Sequence, residues 1–245
     1  MKNGGLGDRL FIAGYDLSGD SNTIATTGGP SPLDVTGVDK SAFERIGGLR
    51  DGSLSWTSYF NVASNQAHAV LSALPRTDVT AQYCRGTAIG GDAAAVVGKQ
   101  PDYAGTRGND GAFTFGVQIQ GNGTALEWGN QLTAGLRTDT AATNGASYDQ
   151  GAATAFGAQA YLQVSALTGT DVTVKIQDSA DNSSFADVTG LTFAQTTTAR
   201  TTQRIATTSA QAIRRYLRAV TVTTGGFTSA TFIVMVCINP VAVSF

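Results

Sequence analysis

Residues 158–179 read AQAYLQVSALTGTDVTVKIQDS. Apolar and polar side chains alternate twice in this stretch, over 158–167 and again over 171–179, with a Thr-Gly-Thr break between. A period of two sends one set of side chains to a buried face and the other to water, the mark of a half-buried strand. The pattern returns in ADVTGLTFAQ (186–195), TQRIATTS (202–209), AIRRYLRAVTVTT (212–224) and SATFIVMVCIN (229–239). Six short strands in about eighty residues, separated by turn residues, predict an antiparallel β-sandwich.

Between two of these strands lies QDSADNSSFAD (177–187), with Asp178, Asp181 and Asp187. A calcium loop of the EF-hand kind needs ligands at alternate positions, a glycine at its sharp turn and a closing glutamate. This stretch has neither the glycine nor the glutamate, and strands rather than helices flank it. Asp, Asn and Ser build turns through local side-chain hydrogen bonds, so the segment reads as a bend between strands.

Working outward, the first half is also β-rich. RLFIAGYDLS (9–18), DGSLSWTSYFN (51–61), DVTAQYCRG (78–86), DAAAVVGKQPDY (92–103) and GAFTFGVQIQG (111–121) have strand character. Residues 19–50 are long, polar and rich in Gly and Pro, and read as a loop, with a brief strand at LDVT (33–36) and a helical turn at SAFERIGG (41–48). NQAHAVLSALP (65–75) carries Ala67, Val70, Leu71 and Leu74 at helical spacing and ends in Pro75, which predicts one helix. Residues 122–155 show weak periodicity and many small side chains, which predicts a linker with one short strand. The expected organisation is therefore residues 1–125 as one β domain, 126–155 as a linker and 156–245 as a second β domain.

Composition narrows the function. Hydrophobic residues make up 42% of the 245, enough for ordinary cores, while only 14% are charged. An average soluble protein carries about 25%. A surface sparing in charge and rich in Gly, Ala, Thr and Ser suits a chain covered by neighbours. The net charge is −2, and Arg214, Arg215 and Arg218 form the densest basic group, too small for a nucleic-acid footprint. Cys84 and Cys237 stand far apart and read as two buried free thiols. MKNGGLGDRL has no apolar stretch of the kind a signal peptide carries, and no run reaches the roughly 20 apolar residues of a membrane span.

No catalytic constellation stands out. His68 is the sole histidine and falls inside the expected helix; no Gly-x-Ser-x-Gly elbow and no paired-cysteine or paired-histidine spacing accompanies it. AIGGDAAAVVGK (88–99) lacks the Gly-Lys-Ser/Thr ending of a phosphate loop. Trp56, Tyr59, Phe60 and Trp128 could stack on a sugar, but their alternating positions suit core packing. The chain is expected not to be an enzyme and to need no cofactor and no metal.

The order of these elements carries a resemblance. IAGYDLSGDSNTI (12–24) leads into the Gly/Pro-rich segment; LDVTGVD (33–39) and SAFERIGGLRDGSLSWTSYFN (41–61) follow, then the helix QAHAVLSAL and strands ending in DGAFTFGVQIQG (110–121). This half resembles the major tail tube proteins of long-tailed, siphovirus-type bacteriophages. The later half, through TVKIQDSAD and RRYLRAVTVTT, resembles the jelly-roll or galactose-binding-like modules of phage structural proteins. The fold class so implied is mainly β: an N-terminal tail-tube-like β-sandwich or barrel with one helix and a long loop, followed by a jelly-roll-like C-terminal β-sandwich.

The resemblance implies a virion tail protein, made in the host cytoplasm, whose partners are copies of itself. Six subunits per ring, stacked into a tube, would meet the tape measure and other tail proteins, and DNA would pass the lumen without specific binding. A trimeric pseudo-hexamer would need an internal repeat, and none is visible. The C-terminal sandwich would sit outside, decorating the tube or touching a host surface glycan. The segment 19–50 would be the inter-subunit clasp, with Leu17, Ile24, Leu33, Val35 and Leu49 as its apolar contacts. Alternatives are another virion component, such as a decoration or connector protein, and a carbohydrate-binding module.

Overall fold

The computed structural model describes residues 4–242; the first residues of MKNGGLGDRL, read for a leader, lie outside them. In chain order the strands are β1 Arg9–Ile12, β2 Tyr15–Asp16, β3 Ser21–Asp34, β4 Arg45–Tyr59, β5 Val79–Cys84, β6 Asp92–Arg107, β7 Phe113–Gly121, β8 Glu127–Gln131, β9 Arg137–Asp139, β10 Tyr148–Asp149, β11 Ala158–Gly169, β12 Thr173–Ser179, β13 Ala186–Thr192, β14 Thr201–Ala206, β15 Tyr216–Val222 and β16 Phe227–Ile238. The helix α1 spans Ala67–Leu71. The architecture is mainly β, with antiparallel pairing, as the alternating pattern requires. Among the described residues, no helix is long and apolar enough to cross a membrane.

Two compact units divide the chain. One holds the chain through Gly19, Thr80–Ala95 and the chain from Trp128 onward; the other holds Asp20–Val79 and Val96–Glu127. In the first unit, β11 pairs with β14 on one side and β16 on the other, while β10, β15, β12 and β13 form a separate four-stranded sheet. The inward residues of β11 (Ala158, Ala160, Leu162, Val164) and β16 (Phe232, Val234, Val236) pack with Val174 and Ile176 of β12 and Leu217 and Ala219 of β15 in one buried cluster. Each set occupies every second position, so the period read in the sequence becomes the interior of a two-sheet sandwich.

Residues 122–155 differ from the expected linker. β8 pairs Gln131 and Asn130 with Met235 and Val236 of β16; β9 pairs with Phe232–Ala230 of the same strand; β10 pairs with Leu217 and Tyr216 of β15. Strands of two to five residues are too short to show a period, so they form where tertiary contact completes them. Arg137 sits beside them in a two-pronged pair with Asp139, both bonds 2.7 Å, and Asp139 also accepts from Thr221 Oγ1 at 2.7 Å.

In the second unit the order is β3–β4–β7–β6, each neighbour antiparallel. The expected loop at 19–50 is instead most of a long hairpin. The expected helical turn at 41–48 is absent, since residues 45 onward belong to β4, and LDVT lies at the end of β3. Gly and Pro misled the reading because an edge strand tolerates both: Pro30 and Pro32 lack N–H donors, and a register shift falls between them. The helix is also shorter than expected. Its first donor, Ala67 N–H, is capped by Asp20 Oδ2 at 2.9 Å rather than by a neighbour in sequence, and Leu74 has a positive φ of 45° just beyond its end.

Asp171 holds the turn before β16. Its carboxylate accepts from Thr224 N–H at 2.9 Å, Thr223 Oγ1 at 2.8 Å, Thr224 Oγ1 at 2.9 Å and Gly225 N–H at 2.6 Å. The Thr224 amide leads the donors that keep this carboxyl well below the usual aspartate range. Folding favours the ionised form, so the contribution is complete above the ordinary value of about 4 and drains away as pH falls toward the lower native value. Asp171→Asn is expected to lower the thermal midpoint at neutral pH and to shrink the drop that the parent shows between neutral and acid pH. Calorimetry across that range checks both effects.

Candidate assembly surface

β4 is 15 residues long, and its two halves have different neighbours. Residues Ser53–Tyr59 lie between β3 and β7; Arg45–Gly52 pair with β3 alone. In the inner half Leu54 and Trp56 are buried, on the same face as Phe115, Val117 and Ile119 of β7. Past Gly52, among the described residues, β3 is the one strand paired with this part of β4. At about 3.3 Å per residue, Arg45–Gly52 carries this two-stranded arm roughly 25 Å.

The arm has a defined root. Gly28 and Gly52 face each other across the two strands, and Leu126 lies against both. A Cβ on Gly52 would stand 2.2 Å from the Leu126 backbone nitrogen, so only glycine lets the chain pass there. The tip is organised by polar contacts: Asp34 Oδ1 accepts from Thr36 N–H at 2.9 Å, Glu44 N–H donates to Thr36 Oγ1 at 2.9 Å, and Val35 N–H donates to Glu44 O at 2.9 Å. The Thr36 hydroxyl, which also donates to Asp34 Oδ1, and the Thr36 amide beside it hold the Asp34 carboxyl below its ordinary range. Lys40 reaches Glu44 at 3.4 Å, and the Arg45 guanidinium lies 4.7 Å from the Phe43 ring centre.

Large apolar side chains are bare along this arm. Leu33, Val35, Val38, Phe43 and Ile46 are exposed, and Leu49 is 89% exposed. Three of the five residues expected at the clasp, Leu33, Val35 and Leu49, therefore lie on it. Ile24 is half-buried nearer the sheet, opposite Trp56. Leu17 is 0% exposed and lies before the hairpin, in the other unit, its N–H donating to Leu10 O at 2.9 Å. Its apolar character answers to that core. Val38, Phe43 and Ile46 are exposed on the arm as well; the last two fall in the segment 41–48, whose pattern reads as a helical turn.

The opposite end of the same sheet carries an aromatic layer. Tyr103 and Phe115 stack at 4.1 Å, with Phe113, Phe60 and His68 around them; His68 Nδ1 lies 3.1 Å from Tyr103 Oη. The lone histidine is thus a packed residue of α1. Tyr59 and Phe60 are partly exposed here, and Trp56 is not.

The other polar candidates resolve into separate partners. Asp178 holds Arg214 through Nε at 2.8 Å and Nη2 at 2.6 Å; Asp187 takes Lys175 at 2.8 Å; Asp181 closes its own turn, accepting from Ser183 N–H at 2.9 Å and Ser184 N–H at 2.8 Å. The three carboxylates of QDSADNSSFAD do not converge. Arg215 pairs with Asp149 at 2.7 Å, and Arg218 lies 4.0 Å from the Phe185 ring centre, so the basic group is divided as well. Cys84 and Cys237 are both buried, and burial pushes the Cys84 thiol up to about 12.

No protein-family model matches the chain, and no curated protein matches its sequence. Among solved structures it is similar to the tail of an empty gene transfer agent particle, at 17% identity and a TM-score of 0.40, over 51% of this chain and 97% of that one. It is similar too to the SPP1 Dit protein, described as a hub adsorption apparatus protein of phages infecting Gram-positive bacteria. That match has 13% identity and a TM-score of 0.32, over 94% of this chain and 98% of the other. A chain of the phage p2 baseplate in its activated conformation matches at 9% identity and a TM-score of 0.34, over 95% and 99%.

The root of the arm is open to a direct check. Gly52→Ala forces a side chain against the Leu126 backbone and is expected to cost about 1–3 kcal/mol. Denaturant unfolding of the variant beside the parent measures it.

Proposed function

We propose that this chain is a structural protein of a phage tail, which assembles through its hairpin arm into rings that stack as a tube. The observation that carries the reading is the arm itself. A two-stranded hairpin outside a sheet is marginal in water, and a row of exposed Leu, Val, Ile and Phe raises the cost of leaving it bare. Both costs fall when the arm lies against a second copy. Such a contact joins two different surfaces and repeats by one rotation, which closes into a ring when the rotation divides a full turn.

The free edge of β3 supports the same reading. Among the described residues β3 pairs with β4 alone, leaving its outer side as a row of backbone groups open to another strand. Pro30 and Pro32 interrupt that row in the arm, which confines strand addition to the sheet proper. Low charge density and the resemblance of residues 12–121 to tail tube proteins agree with it. Six copies per ring is the symmetry we propose, with the tape measure and other tail proteins as partners.

Negative-stain electron microscopy across a concentration series tests the proposal: hollow rings or tubes of even width are expected, and monomers at every concentration would count against it. The double variant Leu33→Asp/Val35→Asp is expected to remain folded, with unchanged circular dichroism, and to lose assembly. Tubes of normal length from that variant would remove the arm from the interface.

A further inference from the structure

Among the described residues the step Asn-Gly occurs twice, at Asn122–Gly123 and Asn144–Gly145. Glycine has no Cβ to shield its nitrogen, so its backbone amide can approach the side-chain carbonyl carbon of the asparagine before it. The fold decides whether that approach is open, and it treats the two steps differently.

The step at 144 is tied down. Asn144 bridges Val220 of β15, and Gly145 N–H donates to Ala219 O at 2.9 Å. A Cβ on Gly145 would stand 2.2 Å from Arg137 Nη1 and 2.5 Å from Ala219 O, so no free space surrounds it. Reaction there must wait for local opening.

The step at 122 lies in the turn between β7 and β8, with both residues exposed. Gly123 has a φ of 74°, a Cβ on it would meet nothing within 4 Å, and among the described residues no group accepts from its N–H. The asparagine is held in place: its N–H donates to Val97 O at 3.0 Å, and its Nδ2 donates to Asp78 Oδ1 and Oδ2 at 3.0 and 3.2 Å. The nucleophile is free and its target is fixed beside it.

A second nitrogen is near but unfit. Lys99 Nζ lies 2.8 Å from the same Asp78 Oδ1. Lys99, and after it Asn122, hold the Asp78 carboxyl below its ordinary range, and an ionised carboxylate favours its partner as an ammonium with no lone pair to give.

We infer that Asn122–Gly123 is a site of spontaneous deamidation in the folded protein, a slow chemical change seated beside the root of the hairpin arm. The Gly123 nitrogen gives its proton to hydroxide and bonds to Asn122 Cγ; the Cγ–Nδ2 bond breaks, and Nδ2 leaves as ammonia with a proton taken from water. Water then opens the succinimide ring, at Cγ to give aspartate or at the Asn122 backbone carbonyl carbon to give isoaspartate. One water enters and one ammonia leaves. The chemistry needs a single chain, so it stands apart from the ring reading.

The turn has little slack to absorb the product. Thr124 Oγ1 donates to Val97 O at 3.3 Å, and a Cβ on Gly121 would stand 2.5 Å from Thr124 O and 3.0 Å from Gly52 O. Leu126, which packs against Gly28 and Gly52, follows directly. Isoaspartate adds one backbone carbon within this turn and sets a second carboxylate against Asp78, so Leu126 loses its seat at the root of the arm.

Peptide mapping of the full-length chain tests the site. Trypsin cleavage at Arg107, Arg137 and Lys175 places Asn122 and Asn144 in different peptides. Over weeks at neutral pH the folded protein is expected to show the mass gain of deamidation at Asn122 about tenfold faster than at Asn144, the equivalent of roughly 1.4 kcal/mol in barrier. In denaturant the two rates are expected to converge. Equal rates in the folded protein, or conversion of Asn122 in denaturant alone, would overturn the inference. A cross-linked peptide joining Lys99 to Asn122 would assign the attack to the amine and overturn it too. Hydrogen exchange then reads the arm. In the aged, isoaspartate-bearing protein the amides of residues 26–32 and 48–54 are expected to exchange severalfold faster than in fresh protein. In Asn122→Asp, which changes the charge without lengthening the backbone, they are expected to exchange as in the parent. Unchanged exchange in the aged protein, or equal acceleration in Asn122→Asp, would overturn the link to the arm.

Discussion

One strand, Arg45–Tyr59, sets the terms for the second unit. Its inner half must bury Leu54 and Trp56 between β3 and β7, and its outer half must leave that sheet without breaking its pairing to β3. Both demands meet at the Gly28–Gly52 pair. Leu126 fills the space where side chains would otherwise stand, so the core stops and the arm begins within one residue step. The exposed apolar arm begins where that core stops, and an aromatic layer lies at the opposite end of the sheet.

The two units solve the same problem differently. In the first, two sheets face each other and each strand gives every second side chain to a common interior. In the second, a single sheet has one face covered by a five-residue helix and its aromatic neighbours, and the other left to water. Asp20 links strand and helix there, capping Ala67 N–H while its second oxygen takes Asn61 Nδ2 at 2.9 Å. A helix so short cannot hold itself. It persists because a carboxylate from a distant part of the chain replaces the missing local cap.

Legibility followed local pattern. The six strands from 158 to 239 were visible because Val172, Val174 and Ile176, or Phe232, Val234 and Val236, repeat at a spacing that one buried face requires. The hairpin was hidden for the opposite reason. Its outer half has no buried face, so it shows no alternation, and its Gly and Pro are features of an edge that resemble those of a loop. Within that half Leu33, Val35 and Leu49 stand out in the sequence as apolar residues in a polar stretch, and all three are exposed. Leu17 had the same local appearance and a different fate, since burial in the other unit depends on partners that numbering does not reveal.

The sequence by itself determined the β class, the strands of the sandwich, the turn at QDSADNSS and the scarcity of charge, since each depends on residues near one another in the chain. Tertiary structure alone decided that residues 19–50 pair as strands, that Lys99 turns from the sheet toward Asp78, and that Gln118 and Gln120 tie up each other's amides. Those outcomes depend on cross-strand register, and register is settled by which face of each strand must be buried.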